Sequence, residues 1–386
     1  MKIKTIEIKN YKAFYGKHTI KIGGKNVFIY GENGSGKSSL YYALKDFFQS
    51  SIENIDMTAV DNIFLEDADK GKNYIQVKFQ PNKDGQRRVA TYELTANSKT
   101  TNAAGDTSIR DANKLKSFLT YKHLLDIHHI KKDGEIDLFN LLVKGVLKHF
   151  KYTLTGGKEP GELWDEVETL IAKETGTSYR SDQKKKDVNV ALKTFNDAFK
   201  QLFKNPKEGN PNPEYILGHA GPILEQFEHG LEIDLRYTQA TTDDYKTVKQ
   251  NHVRVDLKFC GQEIPKAHLF LNEARLSAIA ISIYLGMIKR HPQLRPHKIL
   301  FLDDIFIGLD ISNRLPLLKI LETHFPEYQI FITTYDKPWY EYVRGFLSDK
   351  WKTIEFYAQE VKGGFEIPKV EDGTDMIVKA RQHYGL

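Results

Sequence analysis

The chain has 386 residues and a net charge of +5, and 40% of its residues are hydrophobic and 28% charged. This composition is ordinary for a globular protein, and so small a positive charge does not by itself indicate a nucleic-acid partner. The single cysteine, Cys260, excludes a disulfide framework and a zinc site made of several cysteines. No apolar run approaches the roughly 20 residues that span a bilayer, and the first residues do not resemble a signal peptide, so we expect a cytoplasmic protein without a membrane partner.

Alternating apolar residues in the first thirty positions predict three strands separated by glycines. A segment with helical spacing follows the third strand, and two further strands flank a turn rich in proline, asparagine and glycine. The elements predicted in this part are a helix over 37–48, strands over 74–79 and 88–94, a polar loop over 97–110 and helical structure over 111–150.

Residues 160–230 have a different pattern, with apolar residues at helical spacing from Leu163 to Ile171 and again from Val188 to Leu202. Two such helices joined by a polar tip predict a hairpin arm about 30 Å long. The basic run 184–186 falls at this tip, where it is either a solvated face or a contact for nucleic acid or a protein partner. A run rich in proline and glycine then ends the helical segment.

After residue 231 the chain returns to strands and then alternates strands with helices. This alternation predicts parallel βα units. The elements predicted here are strands over 232–237, 253–259, 298–303 and 328–333 and helices over 272–290, 314–324, 337–346 and 376–384.

The strongest motif is a phosphate loop between the third strand and the first helix. Residues 31–38 match the pattern G-x-x-x-x-G-K-[ST] in its expected strand–loop–helix context. Glycines let backbone amides surround a phosphate, and the start of a helix favours negative charge. We expect the Lys37 ammonium to reach the β- and γ-phosphates and the Ser38 hydroxyl to ligate Mg²⁺. The predicted ATP-binding residues of this loop are Gly31, Glu32, Asn33, Gly34, Ser35, Gly36, Lys37, Ser38 and Ser39.

An acidic partner for this loop is predicted at the end of the apolar strand 298–303. Asp303 ends that strand and Asp304 follows it. Ligands of open α/β sheets bind at the edge formed by the carboxyl ends of the strands. Asp303 is therefore the predicted metal ligand, and Asp304 is the predicted catalytic group that orients or deprotonates the attacking water.

With these residues the chain resembles the ABC-type ATPase heads of the SMC and RecF proteins. The resemblance covers residues 1–150 and 231–360, and it includes the opening segment 6–14 and the Gly-Leu-Asp sequence that ends at Asp310, where the group has its D-loop. Within the group, segments such as 271–278 and 334–336 look most like the compact ATPases of the bacterial anti-phage systems Septu and PARIS, which work with a separate nuclease.

The resemblance implies further site residues. In the family, two heads sandwich two ATP molecules, and each ATP lies between the phosphate loop of one head and the signature motif of the other. Asn272 and Glu273 stand at the place of the signature motif. By the same resemblance Lys12 approaches the phosphates, Gln80 is a metal ligand, and Asp310 of the second head helps to set the attacking water.

Three features differ from the family pattern. Asp304 stands in place of the usual catalytic glutamate, and Tyr335 stands in place of the switch histidine. No Q-loop glutamine stands out near 118–130, and Gln80, which follows a strand, is the candidate for it. Because these changes leave the phosphate loop intact, we expect ATP binding with slow hydrolysis, in which ATP acts as a clamp or switch.

The sequence therefore predicts an α/β P-loop NTPase of the ABC/SMC-head type, with a two-lobed mixed sheet interrupted by a short helical hairpin arm. The predicted domains are an N-terminal lobe over 1–150, a helical insertion over 151–230 and a C-terminal lobe over 231–386. We expect ATP and Mg²⁺ as cofactors and a homodimer or higher homo-oligomer with ATP between the heads. The predicted role is the sensor or switch subunit of an anti-phage system with a separate nuclease; the alternatives are a RecF-like DNA-binding protein of repair or chromosome maintenance and a structural ATP-binding scaffold.

Overall fold

The chain forms two compact units, each assembled from separate stretches of sequence. The first comprises residues 1–120, 293–305 and 326–386, and the second comprises residues 121–292 and 306–325. The computed structural model describes residues 1–51, 54–80, 90–96, 108–113, 117–121, 136–148, 158–176, 179–207, 211–227, 230–289, 297–361 and 363–373. None of the helices in these ranges is long and apolar enough to cross a membrane.

The secondary structure of both units is given in chain order. The strands are β1 (Lys2–Tyr11), β2 (Phe14–Lys21), β3 (Asn26–Gly31), β4 (Tyr74–Gln80), β5 (Ala90–Thr95), β6 (Phe118–Thr120), β7 (Leu231–Thr238), β8 (His252–Phe259), β9 (Gln262–Ile264), β10 (Ile299–Asp303), β11 (Gln329–Thr334), β12 (Trp351–Val361) and β13 (Phe365–Asp372). The helices are α1 (Lys37–Gln49), α2 (Ser108–Asn113), α3 (Pro160–Ala172), α4 (Ser181–Phe199), α5 (Ile216–Phe227), α6 (Ala267–Phe270), α7 (Glu273–Lys289), α8 (Ile311–His324) and α9 (Lys337–Arg344).

The first unit contains a four-stranded antiparallel sheet, in the order β2–β1–β4–β5, and a six-stranded sheet, in the order β13–β12–β3–β11–β10–β6. In the larger sheet all neighbouring strands run parallel except β13, which is antiparallel at one edge. Because β3 and β10 both run parallel to β11, which lies between them, the segments that follow β3 and β10 leave the sheet at the same edge.

The core of the first unit forms around α1, whose apolar residues recur at helical spacing. Leu40, Leu44 and Phe47 are fully buried, and they belong to one cluster with Ile6 of the antiparallel sheet and Phe301 of the parallel sheet. Each such side chain contributes roughly 1.5–3 kcal/mol when it is withdrawn from water. This packing fixes α1 against both sheets and thereby holds the loop that precedes the helix.

In the second unit the predicted pair of helices is present as α3 and α4. The Trp164 ring of α3 lies 4.8 Å from the rings of both Phe139 and Phe195, and the Phe199 ring of α4 lies 4.8 Å from that of Tyr237 on β7. The hairpin is therefore joined through aromatic contacts to the remainder of its own unit.

The three lysines of the basic run at the hairpin tip differ in their surroundings. Lys184 is buried, and its Nζ donates hydrogen bonds to the carbonyl oxygens of Ile171 and Lys173, at 2.7 and 2.6 Å. A lysine that bonds the last carbonyl groups of a helix stabilises that helix end. Lys184 therefore has a structural role at the end of α3, whereas Lys185 and Lys186 are exposed.

Several predicted elements need correction. Continuous helical structure over 111–150 is wrong at Phe118–Thr120, which form β6 and pair with β10. Three residues are too few to show a strand periodicity inside a segment with apolar residues at helical spacing. Strands β12 and β13 were also not predicted, because charged residues interrupt their apolar pattern. The predicted helix over 376–384 and residues 97–107 of the predicted loop lie outside the described residues.

The two units divide the chain at points other than the predicted boundaries at residues 150 and 230. Residues 136–148 belong to the second unit, where an Asp137 carboxylate oxygen accepts a hydrogen bond of 2.9 Å from the amide of Val253 on β8. α5 packs against α7 in the same unit. Contacts between segments far apart in sequence set these limits, and a change of composition along the chain does not reveal them.

Candidate nucleotide-binding site

The predicted phosphate loop joins β3 to α1, and two of its glycines are required by close contacts. A Cβ atom on Gly31 would lie 2.4 Å from Oγ of Ser35. Gly36 immediately precedes α1 with φ of 101°, and a Cβ atom there would lie 2.6 Å from Cγ of Pro368 on β13. A Cβ atom at either position would force the loop or its neighbour to move.

Lys37 begins α1 and is 4% exposed. Its Nζ donates hydrogen bonds of 2.7 and 3.1 Å to the carbonyl oxygens of Gly31 and Glu32, and it lies 4.0 Å from Oδ2 of Asp304. Burial lowers the pKa of Lys37, and the nearby carboxylates of Asp304 and Asp303 oppose that shift. A buried ammonium group needs hydrogen-bond acceptors or carboxylates close to it. The two carbonyl oxygens and the two acids therefore hold Nζ of Lys37 beside the phosphate loop.

The two predicted acids lie at the end of β10, at the same edge of the sheet as the phosphate loop. Asp303 is 6% exposed, and its Oδ1 accepts a hydrogen bond of 2.8 Å from the hydroxyl group of Thr333. Asp304 has a left-handed backbone, with φ of 51°. Burial raises the pKa of Asp304 to about 6, although Lys37 lowers it. Oδ1 of Asp304 is buried and accepts no hydrogen bond from the residues that the structure describes.

The turn between β1 and β2 reaches the phosphate loop through its backbone. The amide of Ala13 donates a hydrogen bond of 3.4 Å to Oγ of Ser39. The Nζ atom of Lys12 lies 5.0 Å from the centre of the Tyr42 ring on α1. The role of Lys12 at the phosphates stays a prediction.

Gln80 lies at the opposite end of the antiparallel sheet from the phosphate loop. It pairs with Lys2 at the start of β1, and its side-chain amide donates a hydrogen bond of 3.3 Å to the carbonyl oxygen of Gly23. The turn that contacts the loop follows the other end of the same ten-residue strand, about 30 Å away at 3.3 Å per residue. This position does not support Gln80 as a metal ligand, and that role stays a prediction.

The residues predicted to serve a second copy belong to the second unit, where all of them are exposed. Oδ1 of Asn272 accepts a hydrogen bond of 2.9 Å from the amide of Arg275 at the start of α7. Glu273 begins α7 and accepts a hydrogen bond of 3.0 Å from the hydroxyl group of Tyr121. Asp310 immediately precedes α8. Their exposure leaves them accessible to another copy, but their roles stay predictions.

Two residues of the site were not predicted from the sequence. Thr333 contacts both acids, and Pro368 packs on Gly36. A polar residue at the end of the buried apolar strand β11 was a signal for Thr333. No pattern pointed to Pro368, because its contact depends on the position of an edge strand formed more than 300 residues after the loop.

The donors at this edge fit Mg²⁺. The Ser38 hydroxyl group and the Asp303 carboxylate are hard oxygen ligands, and Mg²⁺ typically binds one or two such groups together with substrate phosphates and water. Within the described ranges no three His, Cys, Asp or Glu side chains are arranged to hold a metal by themselves. Ser38 and Asp303 therefore suit a Mg²⁺ ion that is also bound by the phosphates of a nucleotide.

A glycine loop between a strand and a helix, with a buried lysine opposite two strand-end acids, defines a P-loop nucleotide-binding protein. The model of the RecF/RecN/SMC N terminal domain matches residues 2–357. The chain therefore belongs to this family of ATPase heads. No curated protein matches the sequence.

Solved SMC heads have a similar fold at low sequence identity. The SMC head bound to the C-terminal winged-helix domain of ScpA has 13% identity and a TM-score of 0.51, with 98% of this chain and 100% of that chain covered. The SMC head with an extended coiled coil, bound to the C-terminal domain of ScpA derived from Pyrococcus furiosus, has 15% identity and a TM-score of 0.51, with 100% and 98% covered. These matches confirm the predicted fold class, an SMC-head-like P-loop NTPase with a mixed α/β fold that contains several sheets.

Proposed function

We propose that this protein binds ATP with Mg²⁺ and hydrolyses it slowly. The observation that carries the proposal is the convergence of Lys37, Asp303 and Asp304 at one sheet edge, with the Lys37 and Asp304 side chains 4.0 Å apart. These groups come from segments more than 260 residues apart in the sequence. Their meeting is the arrangement that phosphate binding and phosphoryl transfer need.

Each residue of the site has a defined part in the proposed reaction. The loop amides and Lys37 bind the phosphates and balance their charge. Ser38 and Asp303 would hold Mg²⁺, which neutralises charge on the phosphate oxygens when it is bound. Asp304 orients the attacking water and accepts its proton, a task for which a carboxylate with a pKa of about 6 is suited. Aspartate is one methylene shorter than the usual glutamate, so we expect the turnover to be slow.

Titration of the protein with a fluorescent ATP analogue tests this function. Lys37→Ala removes a charged donor to the phosphates, so the dissociation constant should rise about 10–100-fold, because such a hydrogen bond contributes roughly 1.5–3 kcal/mol. Lys45→Ala, which changes a lysine two turns further along α1, is the matched control and should bind normally. Equal affinity of the Lys37→Ala variant and the unmodified protein would contradict the proposal.

We further propose that ATP joins two copies of the chain into a homodimer. The start of α7, at Asn272 and Glu273, and the residue Asp310 support this arrangement, because all three side chains are exposed to solvent. A helix start directed at a γ-phosphate stabilises its negative charge.

For the biological role, we propose a sensor or switch subunit of an anti-phage system that regulates a separate nuclease. The similarity of segments 271–278 and 334–336 to the Septu and PARIS ATPases supports this role. Protection of cells against phage by this gene together with its neighbours, and its loss with Lys37→Ala, would be expected. Phage sensitivity that is unchanged by the whole gene cluster would contradict the role.

Two alternatives lead to different results. A RecF-like DNA-binding protein would bind duplex DNA with an affinity that falls steeply as salt rises. The exposed Lys185 and Lys186 are the groups to replace in that case. A structural scaffold would keep its assembly and its cellular activity with Lys37→Ala.

A further inference from the structure

Thr333 lies on β11, between the strand that leads to the phosphate loop and the strand that carries the acids. It pairs with Ile29 of β3, and it is the next residue after Ile332, which pairs with Leu302 of β10. Its side chain is fully buried. This register places the Thr333 hydroxyl group beside the end of β10, at Asp303 and Asp304.

The Thr333 hydroxyl group bonds both acidic residues at once. Its Oγ1 donates a hydrogen bond of 2.8 Å to Oδ1 of Asp303 and accepts a hydrogen bond of 2.8 Å from the backbone amide of Asp304. A hydroxyl group has one proton to donate, and here it is directed to the Asp303 carboxylate. Since the β-branched side chain of threonine has few rotamers, the hydroxyl group is held in this direction.

The hydrogen bond from the Asp304 amide to Thr333 stabilises an unusual backbone conformation. Asp304 has φ of 51°, a conformation that side-chain-bearing residues seldom adopt and that the surrounding structure must maintain. With this backbone conformation, Oδ2 of Asp304 lies 4.0 Å from Nζ of Lys37. A different backbone conformation at Asp304 would move this carboxylate away from the phosphate loop.

We propose that Thr333 is a positioning residue for phosphoryl transfer. It orients the Asp303 carboxylate for the predicted Mg²⁺ ion. It also holds the backbone of Asp304 so that the Asp304 carboxylate faces the phosphate loop. The role in turnover rests on the proposed ATPase function, whereas the positioning of the two acids is a property of the protein alone.

Thr333→Val removes the hydroxyl group at almost constant volume, and Thr333→Ser keeps it. Thr353→Val is the matched control, because the Thr353 hydroxyl group lies on β12 of the same sheet and donates a hydrogen bond of 3.1 Å to the backbone oxygen of Gly373, and not to either acid. If the valine variant does not fold, Thr333→Cys, of similar size and with a poor donor, takes its place. Thermal unfolding checks that each variant is folded.

Three measurements are made on each variant. For Thr333→Val we expect kcat to fall about 10–100-fold, the range typical when a residue that orients a metal ligand is removed. The gain in affinity for the fluorescent ATP analogue on adding Mg²⁺ in place of EDTA should shrink, while affinity in EDTA stays the same. Thr333→Ser should restore both values. Unchanged kcat and an unchanged effect of Mg²⁺ in Thr333→Val would overturn the proposal.

Crystal structures of the unmodified protein and Thr333→Val without nucleotide separate this proposal from the ATPase function. We expect Asp304 to leave the left-handed backbone conformation, or the Asp303 carboxylate to rotate, in the valine variant alone. Unmoved acids would overturn the positioning role even if the protein hydrolyses ATP. Moved acids in a protein that binds no ATP would contradict the ATPase function and support the positioning role.

Discussion

Gly36 is the residue at which the phosphate loop leaves no room for a side chain. Alanine there would combine a left-handed backbone, which costs roughly 1–2 kcal/mol, with a Cβ atom 2.6 Å from the Pro368 ring. We expect Gly36→Ala to lower the free energy of unfolding by about 1–3 kcal/mol more than the backbone effect alone. Chemical denaturation measures this loss, and titration with the ATP analogue should show no binding.

Gly16→Ala is the control for the backbone effect. Gly16 has φ of 72°, and a Cβ atom there would meet no described atom within 4 Å. Adding Pro368→Ala to Gly36→Ala removes the Cγ atom of the clash, so it should recover part of the lost stability. Equal losses for the two glycine variants would show that Pro368 does not limit the loop.

At the level of single residues, the sequence indicated the site where its signal was local. The pattern that contains Lys37 and the apolar strand that ends at Asp303 both follow from neighbours in the chain. Thr333 was not predicted, because its role depends on β11 lying between β3 and β10. Gln80 was a candidate because it follows a predicted strand, and in the structure it pairs with Lys2 at the start of β1.

At the level of elements, α4 is joined to the turn after β7 by a buried amide. Asn196 donates a hydrogen bond of 2.9 Å to the Ala240 carbonyl oxygen, and its Oδ1 accepts hydrogen bonds from the Ala240 amide and the Tyr237 hydroxyl group. Asn196→Ala leaves the Ala240 carbonyl group without this donor, so we expect a loss of about 1–3 kcal/mol in the free energy of unfolding. Chemical denaturation provides the measurement.

Asn189→Ala is the matched control on the same helix. Asn189 is exposed, and substitutions at such positions usually change stability by no more than about 0.5 kcal/mol. If both variants were equally stable, the hydrogen bonds of Asn196 would contribute little to the contact between α4 and the segment after β7.

Elements with a strong regular pattern were predicted, and elements defined by their partners were not. The buried runs of β3 and β10 are apolar over nearly their whole length, as parallel strands covered on both faces require. β6 has three residues and exists through its pairing with β10. β13 carries charged residues and a proline at the sheet edge, where a missing amide donor is tolerated.

At the scale of the molecule, the predicted ATP-contacting residues belong to different units. The phosphate loop and the acids lie in the first unit, whereas Asn272, Glu273 and Asp310 lie in the second. If one nucleotide is bound by the loop of one copy and by α7 of another, both units are needed in each copy. Assembly would then depend on ATP and on the phosphate loop, and not on an apolar interface alone.

We expect the Asp304→Asn variant to form a stable dimer when ATP is bound. The amide keeps the size of the side chain and the contacts of the loop with phosphate, but it cannot accept a proton from water, so bound ATP should persist. Light scattering at saturating ATP should show a mass of twice 44.4 kDa for Asp304→Asn and the monomer mass without nucleotide. The double variant Lys37→Ala/Asp304→Asn should remain monomeric, because it lacks the lysine that binds the phosphates. A monomeric Asp304→Asn protein with ATP shown to be bound would refute the ATP-bridged dimer and leave nucleotide binding as a property of the single chain.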